Sequence, residues 1–289
     1  MHHPRLTGLV ELFKWRLSLA IAASASAGYL LRPARDLGVL AWLFAGVFAV
    51  AVGCGCLNHY QDRHLDRDFL RTRNRPMPAG RVGEGEALGM AVLLMAAGMA
   101  GLVCGPFPVS VGATTALAAF CYNGLYTPLK TRTCFALIPG IACGALPPLI
   151  GWFAAGGHLG SLPVWGLMVV FGVWQPPHYW LIMLAHQEDY RRGVIPSMLL
   201  IFSRIQIERI LFVWVVALAM ALLALPLSAG VLSPFLVAVM VILVALFTAL
   251  FAYQLFIRAE GPSFRFLFIC VNLAVFLGVA LTVLHRFRG

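Results

Sequence analysis

NHYQDRHLD, residues 58–66, follows directly on an uncharged apolar run, 38–57. Asn58, Asp62 and Asp66 stand four residues apart in it. If the helix predicted by the apolar run continues, positions i, i+4 and i+8 share one face. That face carries an amide and two carboxylates where the chain leaves the hydrocarbon, and carboxylates near hydrocarbon are costly and mark function. Oxygen ligands so spaced suit Mg²⁺, which is commonly held by one or two carboxylates together with substrate phosphates. Six arginines follow in the same loop: Arg63, Arg67, Arg71, Arg73, Arg75 and Arg81. Guanidinium groups bind phosphate bidentately. The stretch therefore predicts a metal-bridged diphosphate at a membrane surface. The plain alternative is a solvated helix end with ion pairs between Asp62 and its neighbours Arg63 or Arg67. Asp68 lies off the stripe and reads as a surface charge.

The rest of the chain agrees with a membrane setting. Of 289 residues, 61% are apolar and only 11% charged, with a mean hydropathy of +0.88. Soluble domains average nearer a quarter charged. Nine apolar segments are long enough to span as helices: 14–31, 38–57, 86–105, 108–126, 135–155, 162–185, 208–228, 232–257 and 264–285. Alternating ten-residue segments, the mark of a β-barrel, are absent. The expected fold is an all-α membrane bundle of nine transmembrane helices, with residues 1–289 as one transmembrane domain. The first apolar segment lacks a small-residue cleavage site, so no cleavable signal peptide is expected.

The net charge of +10 lies in short loops between spans, which argues against nucleic acid as a partner. Most basic residues fall on one side, in the loops holding Lys14 and Arg16, the six arginines of 63–81, Lys130 and Arg132, Arg191 to Arg209, and Arg258 and Arg265. The other side has Arg32, Arg35, Arg286 and Arg288. By the positive-inside rule the N-terminus and the motif loops are cytoplasmic, and nine spans leave the C-terminus outside. Every acidic residue except Asp36 shares the cytoplasmic side. Only Lys14 and Lys130 are lysines among 21 basic residues. The seven cysteines fall almost wholly in apolar segments, without a CxxC, and read as small packing residues.

Three stretches together carry a resemblance. NHYQDRHLDRDFLRTRNRPMPAGRV, Asn58 to Val82, resembles the first aspartate motif of the UbiA-type intramembrane prenyltransferases. YNGLYTPLKTRT and GALPPLIGW, within Tyr122 to Trp152, resemble the central segment of that family. WQPPHYWLIMLAHQEDYRRGVIPSM, Trp174 to Met198, resembles its second cytoplasmic loop, in the branch that farnesylates protohaem IX. The first motif departs from the family at His64, where an acidic residue is frequent, and Lys130 to Thr133 replaces a run of consecutive basic residues. A second Asp-x3-Asp pair, usual in members that prenylate aromatic acids or quinone precursors, is missing: Gly193 stands four after Asp189.

The resemblance implies a UbiA-like fold, Mg²⁺ as cofactor, and farnesyl diphosphate and haem B as substrates, with haem O as product. It implies Mg²⁺ on Asp62 and Asp66, with help from Asp189, and Asn58 orienting the site. Arg71, Arg75, Lys130, Arg132 and Arg191 or Arg192 would meet phosphate. His178, in PPHYW, is by default a hydrogen-bonded packing residue, and the resemblance adds haem contact, since neutral imidazole ligates haem iron. Tyr122, Tyr126 and Trp174 read either as an interfacial aromatic belt or as a pocket wall for an isoprenoid and its allylic cation. The implied location is a bacterial inner membrane with a cytoplasmic active site, and the implied partner is a haem A synthase or terminal oxidase assembly. The remaining alternatives are a quinone-precursor prenyltransferase, an anion transporter, which intramembrane charges would favour, and an assembly scaffold, which would not need the aspartate stripe.

Overall fold

The computed structural model describes residues 4–32, 36–191, 195–231 and 233–288. Arg35, Arg192 and Gly193 lie outside them. The described residues are helical, without a strand. In chain order the helices are α1 (Pro4–Leu12), α2 (Trp15–Leu30), α3 (Leu37–Asp62), α4 (Leu65–Asp68), α5 (Glu84–Cys104), α6 (Val109–Ala119), α7 (Thr127–Leu129) and α8 (Leu137–Ala154). They continue with α9 (Leu162–Ala185), α10 (Gln187–Arg191), α11 (Arg204–Ser228), α12 (Pro234–Ala252) and α13 (Phe264–Arg288). Seven helices among the described residues are long and apolar enough to cross a membrane: α3, α5, α8, α9, α11, α12 and α13, α8 and α12 being counted with their short flanking turns. The expected first and fourth spans are helical but shorter. The first is the 16 residues of α2, and the fourth is α6 followed by widened, π-type turns over Phe120–Tyr126.

Local chemistry sets the boundaries. Asp36, the one acidic residue expected on the opposite side, caps α3 by accepting from the Gly38 and Val39 amides, as N-cap carboxylates do. α11 starts four residues before the expected span, because Ser203 and Gln206 form a reciprocal capping box. Pro226 sits in its last turn.

The chain forms two compact units, residues 1–157 with 194–196, and residues 158–193 with 197–289. In the first, backbone-close packing relies on glycine. A Cβ on Gly28 of α2 would lie 1.9 Å from the Pro148 carbonyl oxygen, and one on Gly151 of α8 would lie 1.7 Å from that of Ala25. A Cβ on Gly98 of α5 would lie 2.7 Å from the Gly46 carbonyl oxygen of α3. These contacts hold α2 against α8 and α3 against α5. In the second, α9 packs on α11 and α13.

Candidate active site

The end of α3 and the loops near it in the first unit form a closed set of polar contacts. Asn58, Asp62 and Asp66 are all buried, at 3%, 5% and 4% exposure. The stripe predicted from spacing is therefore present, but the single helix is not. α3 ends at Asp62, where Arg63 turns back to donate to the Tyr60 carbonyl, and the separate α4 carries Asp66. Thr72 donates to the Asp66 carbonyl, so the loop holds Asp66 in place.

Each element of the stripe has a partner. Lys130 forms an ion pair with Asp62. Arg75 Nη1 donates to both oxygens of Asp66, at 2.9 Å each. Lys14 donates through Nζ to the Asn58 side-chain oxygen. The alternative pairing of Asp62 with Arg63 or Arg67 is not adopted: Arg63 pairs with Glu84 and lies over the Tyr60 ring. Asp68 and His64 are exposed, so the missing acid at position 64 lies away from the buried pair.

Lys14 is the residue that sequence reasoning missed, having been counted only as a loop charge. It occupies the break between α1 and α2 at φ 44°, the only non-glycine residue with positive φ among those described. Left-handed backbone costs a non-glycine residue about 1–2 kcal/mol, and here it turns the ammonium toward Asn58. Burial, and then the Arg75 guanidinium, hold its pKa down to about 7. The signal lay in the composition, since the chain has two lysines and both touch the stripe.

Lys130 reaches Asp62 through the widened turns. Asn58 Nδ2 donates to Thr127 Oγ1 at 3.0 Å, and Thr127 donates to the Tyr122 carbonyl. Asn123 donates to the Cys54 carbonyl and exchanges hydrogen bonds with Gln61. These bonds pin Phe120–Tyr126 to α3. Tyr122 and Tyr126 stack at 6.0 Å, and the Lys130 ammonium lies 5.8 Å from the Tyr126 centroid. His59 is also buried on α3.

Arg71 and Arg132 are exposed on their loops. In the second unit, Asp189 is buried on α10 and Arg191 is exposed. His178 lies between the Trp174 and Phe268 rings, at 4.4 and 4.8 Å, with Nδ1 3.1 Å from the Asn272 side-chain oxygen.

The donor set decides whether a metal fits. No group of three or more His, Cys, Asp or Glu side chains able to hold a metal occurs among the described residues. Two buried carboxylates on consecutive helices do occur, amid three basic groups. That composition fits Mg²⁺ only when substrate oxygens complete its shell, which is the usual arrangement at phosphate sites.

Comparison with known proteins gives the family. The profile described as "UbiA prenyltransferase family" matches residues 19–282. A protoheme IX farnesyltransferase of Nitratidesulfovibrio vulgaris (strain DP4) is 37% identical over 230 residues, covering 76% of this chain and 77% of that protein. One from Geobacter sulfurreducens is 39% identical over 230 residues, covering 77% and 82%. The solved structure of a UbiA homolog from Archaeoglobus fulgidus bound to DMAPP and Mg²⁺ superposes with a TM-score of 0.68 at 13% identity, covering 96% of this chain and 98% of that one.

Proposed function

Because the chain belongs to the UbiA prenyltransferase family, we propose that it transfers the farnesyl group of farnesyl diphosphate to a vinyl group of haem B, with addition of water, to give haem O. The curated relatives, named for this reaction, support the substrate pair. The observation that carries the chemistry is the buried pair of carboxylates, each already matched by one basic side chain.

Asp62 and Asp66 would hold Mg²⁺, and Asp189 is the third acidic candidate. The metal, when bound, supplies positive charge to the departing diphosphate. Asn58 orients the site through its bonds to Lys14 and Thr127. Lys14, Lys130 and Arg75 bring charge to the phosphate oxygens, with Arg71, Arg132 and Arg191 as further phosphate contacts. Fixed charges of this kind stabilise a leaving group without reorganisation. The C1–O bond breaks with its electron pair on the diphosphate. The vinyl π pair forms the new carbon–carbon bond, and water adds to the resulting cation and loses a proton. Tyr122 and Tyr126 offer π faces to the allylic cation, while His178 and Trp174 contact haem.

The helices α2 and α6 with its widened turns complete nine spans, and residues 1–289 act as one prenyltransferase domain. Charge asymmetry supports a cytoplasmic N-terminus and active site in a bacterial inner membrane. The product passes to a haem A synthase or terminal oxidase assembly.

The test is incubation of the purified protein with Mg²⁺, farnesyl diphosphate and haem B, read by mass spectrometry. Haem gaining one farnesyl group and one water is expected, and Asp62→Asn should lower the rate about 100-fold or more. Unchanged haem alongside prenylated 4-hydroxybenzoate would reject the haem reaction.

A further inference from the structure

In the second unit a short hydrogen-bond chain leads to His178. Asn272 is the only amide side chain in α13. Its Nδ2 donates to the Phe268 carbonyl, one turn back, at 2.5 Å, and its Oδ1 lies 3.1 Å from His178 Nδ1. A backbone carbonyl only accepts, so the amide nitrogen must face it. That leaves Oδ1, which also only accepts, toward the imidazole. His178 Nδ1 must then be the donor, and in the neutral ring Nε2 keeps the lone pair. The opposite tautomer would set two lone pairs against each other.

Nε2 is free to act. His178 makes no other hydrogen bond among the described residues. Nε2 is also not among the buried polar atoms left without a partner, so it meets accessible space. Its surroundings are aromatic: Trp174 and Phe268 flank the ring, and Phe171 packs edge-on to Trp174 at 6.4 Å. Among the described residues no carboxylate is bonded to the imidazole to make it a strong base.

We propose that Asn272 is a positioning residue that fixes His178 as the Nδ1–H tautomer, with Nε2 as the ligand to the iron of haem B. This rests on the reading of haem B as substrate. A metal-binding histidine depends on such a partner for its tautomer and ring plane, and here the Phe268 carbonyl fixes the partner in turn.

The experiment titrates haem B alone into the detergent-purified full chain, without farnesyl diphosphate. It reads the dissociation constant from the Soret band and the ferrous iron–histidine stretch by resonance Raman. The wild-type band should vanish in His178→Ala and return with added imidazole. Asn272→Leu should weaken haem binding about 10–100-fold and lower the stretching frequency. Asn272→Gln, which keeps both the amide donor and the acceptor, should retain more affinity than Asn272→Leu. If Asn272→Leu does not fold, Asn272→Ala makes the same test. Unchanged affinity and band in the Leu or Ala variant, with the band lost in His178→Ala, would overturn the role of Asn272 and leave the haem reading standing. A wild-type band in His178→Ala would overturn the ligand assignment itself, and no haem binding by the wild type would overturn the substrate reading.

Discussion

Arg75 and Arg81 stand six residues apart in one loop and differ in what they are worth. Arg75 meets a carboxylate of 6% side-chain exposure, whereas Arg81 meets Glu11, whose side chain is 51% exposed. The Glu11 carboxylate raises the Arg81 pKa, but an exposed pair contributes about 0–1 kcal/mol. Leaving a buried carboxylate without its partner costs about 3–5 kcal/mol. Thermal unfolding in detergent should therefore show Arg81→Gln close to wild type and Arg75→Gln markedly destabilised. Equal effects would mean that burial does not rank these pairs. Lys14 makes a second prediction. With its pKa near 7, it is mostly neutral at pH 8 in the free protein. Phosphate oxygens favour the ammonium and raise that pKa, so binding farnesyl diphosphate at pH 8 should take up a proton, and affinity should fall as pH rises above 7. Calorimetry in two buffers of different ionisation enthalpy measures this, and Lys14→Met should abolish it. Uptake that persists in Lys14→Met would assign the proton elsewhere.

Among the elements, the widened turns of Phe120–Tyr126 do what no single residue announces. They carry Lys130 to Asp62, and their hold on α3 runs through Asn123 and Thr127. Asn123→Leu removes the donor to the Cys54 carbonyl and to the Gln61 side-chain oxygen. Lost buried hydrogen bonds of this type cost about 1–3 kcal/mol. The melting temperature should fall, and prenyl transfer should fall further than stability alone explains, because Lys130 is no longer aligned. Retained turnover in a destabilised protein would separate the turns from the site. This element also marks the limit of sequence reading. The stripe of Asn58, Asp62 and Asp66 was legible because four-residue spacing is a helical property. The break after Asp62 was not, because bonds from Thr72 and Arg75 set it from outside the motif. The π-type turns have no local spacing signature. Asn272, by contrast, left a trace that went unread, as a lone amide in an apolar segment.

For the whole molecule, segment hydropathy located the helices, but two of the nine predicted spans are short, α2 and the interrupted α6. The nine-span assignment predicts termini on opposite sides of the membrane. Alkaline phosphatase, active only outside the cytoplasm, should be active when fused at the C-terminus. A fluorescent reporter that matures only in the cytoplasm should be bright at the N-terminus. Termini on the same side would require an even number of spans.

If the end of α3 is the metal–diphosphate site proposed above, its matched charges make the resting site an ion exchanger. Asp62 and Asp66 already hold counterions, Lys130 and Arg75, supplied by the chain itself. A bare divalent cation arriving there must evict two tethered cations that then have nowhere to go. A cation arriving with diphosphate brings the anion that receives them. On the proposed reading, loading would be a swap of partners that ties metal and diphosphate into one cargo and keeps Asp62 and Asp66 from standing as an open acidic trap for other cations.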